Sequence, residues 1–156
     1  MHIKFMQGAL ELADIAASQN EVPVGALVVN QDDQVIGKGY NQNIINNDPC
    51  AHAEIMALQE AAQNLKNHRL KGCKLYVTLE PCMMCLGAII HARIDTVIYA
   101  ANDSKTGCFG GRVDLNNNEF GWNHKVKVVS GLLSDEASKK LTDFFRKLRC
   151  KKKIQK

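Results

Sequence analysis

Proline is scarce in this chain, with three in 156 residues, and glycine stands at eleven, so collagen-like, linker-like and low-complexity architectures are excluded. No segment repeats at a fixed period, which removes solenoids and propellers. No apolar run approaches the roughly 18 residues that a bilayer-spanning helix needs. The opening segment MHIKFMQG lacks the apolar centre of a secretory signal, so the reading is a cytoplasmic chain with no membrane association. What is present is 46% hydrophobic and 23% charged residues, an ordinary globular balance with enough apolar material for one core. Without a Pro/Ser/Gly-rich linker, the expectation is a single domain over residues 1–150 and a basic tail over 151–156.

Acidic residues are missing from one end. All sixteen lie before position 146, against thirteen basic residues there, while seven further Lys and Arg occupy 146–156. A net charge of +4 thus divides into −3 and +7. A basic terminus suits a polyanion, most simply nucleic acid, because each neutralised phosphate releases condensed counterions; a solvated, frayed end is the plainer alternative. The six cysteines are even in number, but nothing points to export, and in a reducing compartment clustered thiols more often hold metal.

Apolar residues at Phe5, Ala9, Leu12, Ala13 and Ala16 form a helical stripe that predicts a helix over 2–18, ended before Pro23. The β-rich runs 24–29 and 35–40, separated by Asn30–Asp33, predict a hairpin. A helix is expected over 52–64, with Ile55, Met56 and Leu58 buried, then a strand over 74–79, a helix over 82–92 and a strand over 96–101. This alternation implies parallel pairing and an α/β layer fold. The polar, Gly-rich stretch 102–123 is long enough to suggest a functional loop, and a short strand over 126–129 and a helix from Ser134 close the chain.

The chemistry concentrates in two short motifs: His52-Ala53-Glu54 at one helix start and Pro81-Cys82-Met83-Met84-Cys85 at another. Cys82 and Cys85, three positions apart, share a helix face, and a helix N-terminus favours thiolate. His52 offers a nitrogen as third ligand. Two sulfurs and one imidazole favour zinc among common metals, and three protein ligands leave a position for water, the mark of a catalytic site. Zinc lowers the pKa of bound water to about 7, and Glu54 is then the general acid/base. This pairing of H-x-E with P-C-x-x-C is the known signature of zinc deaminases. Three alternatives remain: a closed structural site with Cys50 as fourth ligand, a zinc-stabilised RNA-binding module in which Glu54 is dispensable, and a redox-active C-x-x-C pair. Cys73, Cys108 and Cys150 read as ordinary free thiols, and His68, His91 and His124 have no partner spacing.

With these motifs, the segments EVPVGA (21–26), DPCAHAEIMAL (48–58), TLEPC (78–82), HARI (91–94), DSKTG (103–107) and DFFR (143–146) resemble the bacterial tRNA-specific adenosine deaminases, a branch of the cytidine-deaminase-like superfamily. The resemblance spans nearly the whole chain. Guanine deaminases share HAE and a PC-x-MC stretch, which keeps a small-molecule purine deaminase as the alternative enzyme. The resemblance implies a three-layer α/β/α fold whose central five-stranded mixed sheet is flanked by helices. It implies one Zn²⁺ per subunit on His52, Cys82 and Cys85, with Glu54 as proton shuttle. The implied reaction is hydrolytic deamination of adenosine to inosine at the wobble position, 34, of an arginine tRNA anticodon, by addition of the zinc-activated water to C6. Asn41, Val24 and the backbone of Ala53 would receive the target nucleoside. Asp103, Lys105, Phe145 and Arg149 would contact the anticodon loop, Asp103 at a ribose 2′-hydroxyl. A homodimer, with tRNA touching both subunits, is also implied. Two departures are Cys50, where the family typically has a hydroxyl residue, and Leu86, where a small residue is often found.

Overall fold

The computed structural model describes residues 1–155. Helix α1 spans His2–Ser18, followed by the hairpin β1 (Gly25–Val29) and β2 (Val35–Tyr40). Helix α2 (Ala53–Leu65), strand β3 (Lys74–Leu79), helix α3 (Met83–His91) and strand β4 (Thr96–Ala101) come next. A short 3-10 turn at Asn118–Phe120 precedes β5 (Lys127–Ser130) and α4 (Ser134–Ile154). The sheet order is β2-β1-β3-β4-β5. The β1 strand is antiparallel to both β2 and β3, whereas β3, β4 and β5 run parallel, so the sheet is mixed.

Side-chain alternation explains the layers, since successive residues of a strand point to opposite faces. Ala26, Val28, Leu75, Val77, Val97 and Tyr99 join α2 and α3 residues in one core. Leu27, Val29, Tyr76, Ile98 and Ala100 join α1 and the start of α4 in the other. Strands covered on both faces read as the continuous apolar runs seen in the sequence. Among the described residues, no helix is long and apolar enough to cross a membrane.

Helix α2 buries a different face from the one anticipated. Ala53, Glu54, Ala57, Leu58 and Ala61 are buried, while Ile55 and Met56 are only half-buried. The cause is close backbone approach: a Cβ on Gly39 would lie 2.2 Å from the Ala53 carbonyl oxygen, and one on Gly37 2.2 Å from that of Ala57. Small residues therefore take the contact, and the helix rotates its larger apolar side chains outward. The expected boundary at residue 151 falls inside a helix, because α4 runs on to Ile154. Lysine is a good helix former and no Gly or Pro interrupts 134–154, so the basic end is a helical surface. Only Ala137 of α4 is fully buried, and Phe145 and Leu148 are 41% and 39% exposed.

Candidate metal and catalytic site

Two helix N-termini converge where α2 and α3 begin. His52 caps α2 with extended backbone (φ −72°, ψ 153°), and Cys82 caps α3 in the same way (φ −80°, ψ 177°). Glu54 and Cys85 then fall in the respective first turns. Both positive helix ends point toward the cluster and favour negative charge there.

The His52 Nδ1 lies 3.6 Å from Cys82 Sγ and 3.5 Å from Cys85 Sγ. These three donors lie within 4.8 Å of one another, the one such His/Cys/Asp/Glu group among the described residues. Ligands about 2.0–2.3 Å from a shared tetrahedral ion sit roughly 3.5 Å apart, so the donor set fits zinc in both chemistry and spacing. Cys50 is exposed and lies outside the group, its amide donating to Asp48 Oδ1, which leaves the four-ligand alternative without its fourth ligand.

A hydrogen bond from the Cys85 thiol pulls Cys82 down to about 4, and the same contact pushes Cys85 up. The hydrogen bond to Cys82 raises His52 above its ordinary value. Glu54 is only 4% exposed, and burial lifts its carboxyl from 4.5 to about 7.

A cavity of about 210 Å³ opens beside these groups. Of the residues singled out from the sequence, it brings together Val24, Asn41, His52, Glu54, Cys82 and Asp103. Cys85 is fully buried behind them. Ala53 is buried too, and its amide donates to Asn41 Oδ1 at 2.9 Å, so Asn41 faces the cavity with its amide nitrogen free to donate. Asp103 accepts from the backbone of Lys105 and Thr106 and from the Thr106 hydroxyl, making its side chain the organiser of that turn. Lys105, Phe145 and Arg149 are exposed and do not line the cavity. A larger groove of about 490 Å³ runs between α1 and α4, where Lys139 and Lys140 are paired to Asp143 and Asp14 and Lys147 and Lys151 also line the wall. Pro23 lines this groove between Val22 and Val24 of the cavity, making the two neighbours.

Two buried carboxylic acids escaped the sequence reading. Glu21 Oε1 accepts from the amides of Ile44 and Ile45 at 2.6 and 3.0 Å, tethering the loop that carries Asn41 and Asn43. Glu80, 2% exposed, lines the cavity itself. Both sit inside segments that carried the family resemblance, EVPVGA and TLEPC, and that placement was their signal.

Residues 1–149 match the MafB19-like deaminase family. Over 153 residues the chain is 49% identical to a tRNA-specific adenosine deaminase of Haemophilus influenzae, spanning 98% of this chain and 88% of that protein. Among solved structures it is similar to a tRNA:A34 deaminase studied for A-to-I editing at the wobble position of transfer RNA. That likeness has a TM-score of 0.81 at 39% identity and covers 88% of this chain and 99% of the other. It is also similar to the guanine deaminase of Nitrosomonas europaea, with a TM-score of 0.79 at 28% identity over 91% of this chain and 83% of the other.

Proposed function

The chain belongs to the MafB19-like deaminase family, and on that premise we propose that it deaminates adenosine in transfer RNA, at the wobble position of an arginine anticodon. The observation that carries the chemistry is the buried Glu54 in one cavity with His52 and Cys82, with Cys85 completing the donor set behind them. The 49% identity to a tRNA-specific adenosine deaminase supports the RNA substrate.

His52, Cys82 and Cys85 would hold zinc, which supplies, when bound, an activated water near neutral pH. Glu54 takes a proton from the attacking water and delivers it to the purine ring nitrogen, then helps protonate the amine leaving C6. The balance is adenosine plus water giving inosine plus ammonia. A carboxyl near 7 is suited to both accepting and returning a proton at neutral pH. Asn41 donates from its free amide to the target nucleoside, and Val24 packs against the base. The amide of Ala53 serves by fixing Asn41. Asp103, Lys105, Phe145 and Arg149 contact the anticodon loop, and the exposed Phe145 suits stacking on an unpaired base. The functional unit is a homodimer with one zinc per subunit, working on tRNA in the cytoplasm.

A second reading, a guanine-type deaminase of free bases, is favoured by the fold likeness to the Nitrosomonas europaea enzyme. The lysine-lined groove beside the cavity favours the polymer. The test is incubation of zinc-loaded protein with an unmodified arginine tRNA anticodon stem-loop and, separately, with guanine, the products read by mass spectrometry. Inosine at position 34 is expected. Xanthine from guanine with no inosine would overturn the tRNA reading.

A further inference from the structure

Glu80 sits between β3 and the Pro81-Cys82 segment and is buried to 2% exposure, yet its carboxyl contacts no cation among the described residues. All its partners are backbone amides of one loop. Oε2 accepts from Asp103 at 2.8 Å, and Oε1 accepts from Phe109 at 2.9 Å and Gly111 at 2.8 Å. Burying such a group is costly unless hydrogen bonds satisfy it; here the three amides do so, and an apolar residue of the same size would leave all three without their acceptor. The loop is shaped around it: a Cβ on Gly107 would lie 2.4 Å from Glu80 Oε2, and one on Gly111 2.2 Å from the same oxygen. The Asp103 carbonyl oxygen crowds the same two positions, 2.5 Å from a Cβ on Gly107 and 2.3 Å from one on Gly111, so the turn and the carboxyl together require glycine.

The loop so held is one wall of the cavity. Asp103 and Thr106 line it, joined through the Thr106 hydroxyl to Asp103 Oδ2 at 2.7 Å. The same loop reaches the metal-ligand segment, since the Cys108 amide donates to the Pro81 carbonyl at 3.0 Å and Gly107 bridges Cys82. A single carboxyl therefore ties the substrate-facing wall to the strand end that delivers Cys82.

We propose that Glu80 is a positioning residue, which acts through Asp103 and Thr106 to hold the loop of residues 103–111 as a preformed wall against the target nucleoside. This rests on the tRNA reading above. Nothing in the proposal requires Glu80 to touch substrate.

The experiment compares native protein with Glu80→Gln and Gly111→Ala, all zinc-loaded, on the arginine anticodon stem-loop. Gln keeps the side-chain shape but retains one carbonyl acceptor and turns an NH₂ toward a backbone donor. Gly111→Ala leaves the carboxyl intact and crowds both its Oε2 and the Asp103 carbonyl, opening the same loop from its other side. In both, KM should rise about tenfold while kcat changes less than about threefold, as loss of a buried hydrogen-bond partner in the binding wall implies. Hydrogen exchange should quicken at the amides of Asp103, Phe109 and Gly111, with metal content unchanged. A fall in kcat with unchanged KM would mean that Glu80 only maintains the folded fraction, and it would overturn the proposal, as would unchanged kinetics. If native protein makes no inosine, the tRNA reading and this proposal fall together; inosine from native protein with an unchanged KM in both variants sinks the Glu80 assignment alone.

Discussion

Replacing Glu54 by Gln separates the roles of this side chain, because it removes the proton chemistry and the buried acid at nearly constant shape. Burial raises the Glu54 carboxyl from 4.5 to about 7, a displacement that corresponds to about 3 kcal/mol. The folded state thus prefers the protonated form. Its contribution is fully present below the unfolded value near 4.5 and is lost as pH rises through about 7. In metal-free protein, urea titrations at pH 4 and pH 8 should show native protein losing about 3 kcal/mol relative to Glu54→Gln across that interval. Referring native protein to the variant cancels the titrating groups remote from Glu54, while His52 and Cys85, which its charge raises, stay within the difference. In zinc-loaded protein, the same substitution should leave about one metal per chain and lower kcat by roughly 10²- to 10⁴-fold, the usual contribution of a positioned acid/base. Parallel pH dependences in the two proteins would refute the burial argument. Activity within tenfold of native, or loss of metal from the variant, would refute the assignment of Glu54 as proton shuttle and not ligand.

Cys82→Ser should abolish stoichiometric zinc binding, read by metal analysis after dialysis, whereas Cys50→Ser should leave it intact because Cys50 lies outside the donor group. Gly39→Ala places a methyl 2.2 Å from the Ala53 carbonyl oxygen, and chemical denaturation should show a loss of about 1–3 kcal/mol from overpacking. Charge reversal at Lys147 or Lys151, which line the groove beside the cavity, should weaken tRNA binding across sequences. The slope of log affinity against log salt should shrink by about one per residue, as measured by filter binding.

Much of the fold was legible because the local signals were strong. The stripe in α1 and the break before Pro23 place its ends at His2 and Ser18, and the sheet's buried strands stand out as apolar runs. The end of α4 and the buried face of α2 were less so. No residue type at 151 distinguishes a helix from a loose tail, and the rotation of α2 depends on glycines in a strand that precedes it by over a dozen residues. Glu21 and Glu80 were overlooked for a related reason. A glutamate in a sequence reads as a surface charge, and only the folded loops show amides aimed at its oxygens.

The sequence by itself determined the donor types and their helical spacing, since His52 and Glu54 at one helix start, and Cys82 and Cys85 at another, are set by short-range geometry. It also carried the family resemblance in segments spread along the chain. Tertiary structure decided the rest: that Cys82, 30 positions along the chain, returns to 3.6 Å from His52, that Cys50 stays outside, and that Asp103 joins the cavity while Lys105, Phe145 and Arg149 do not line it. The physical reason is that helix and strand periodicities fix directions over a few residues only. Which distant groups meet depends on the order of strands in the sheet and on how closely the helices can approach it.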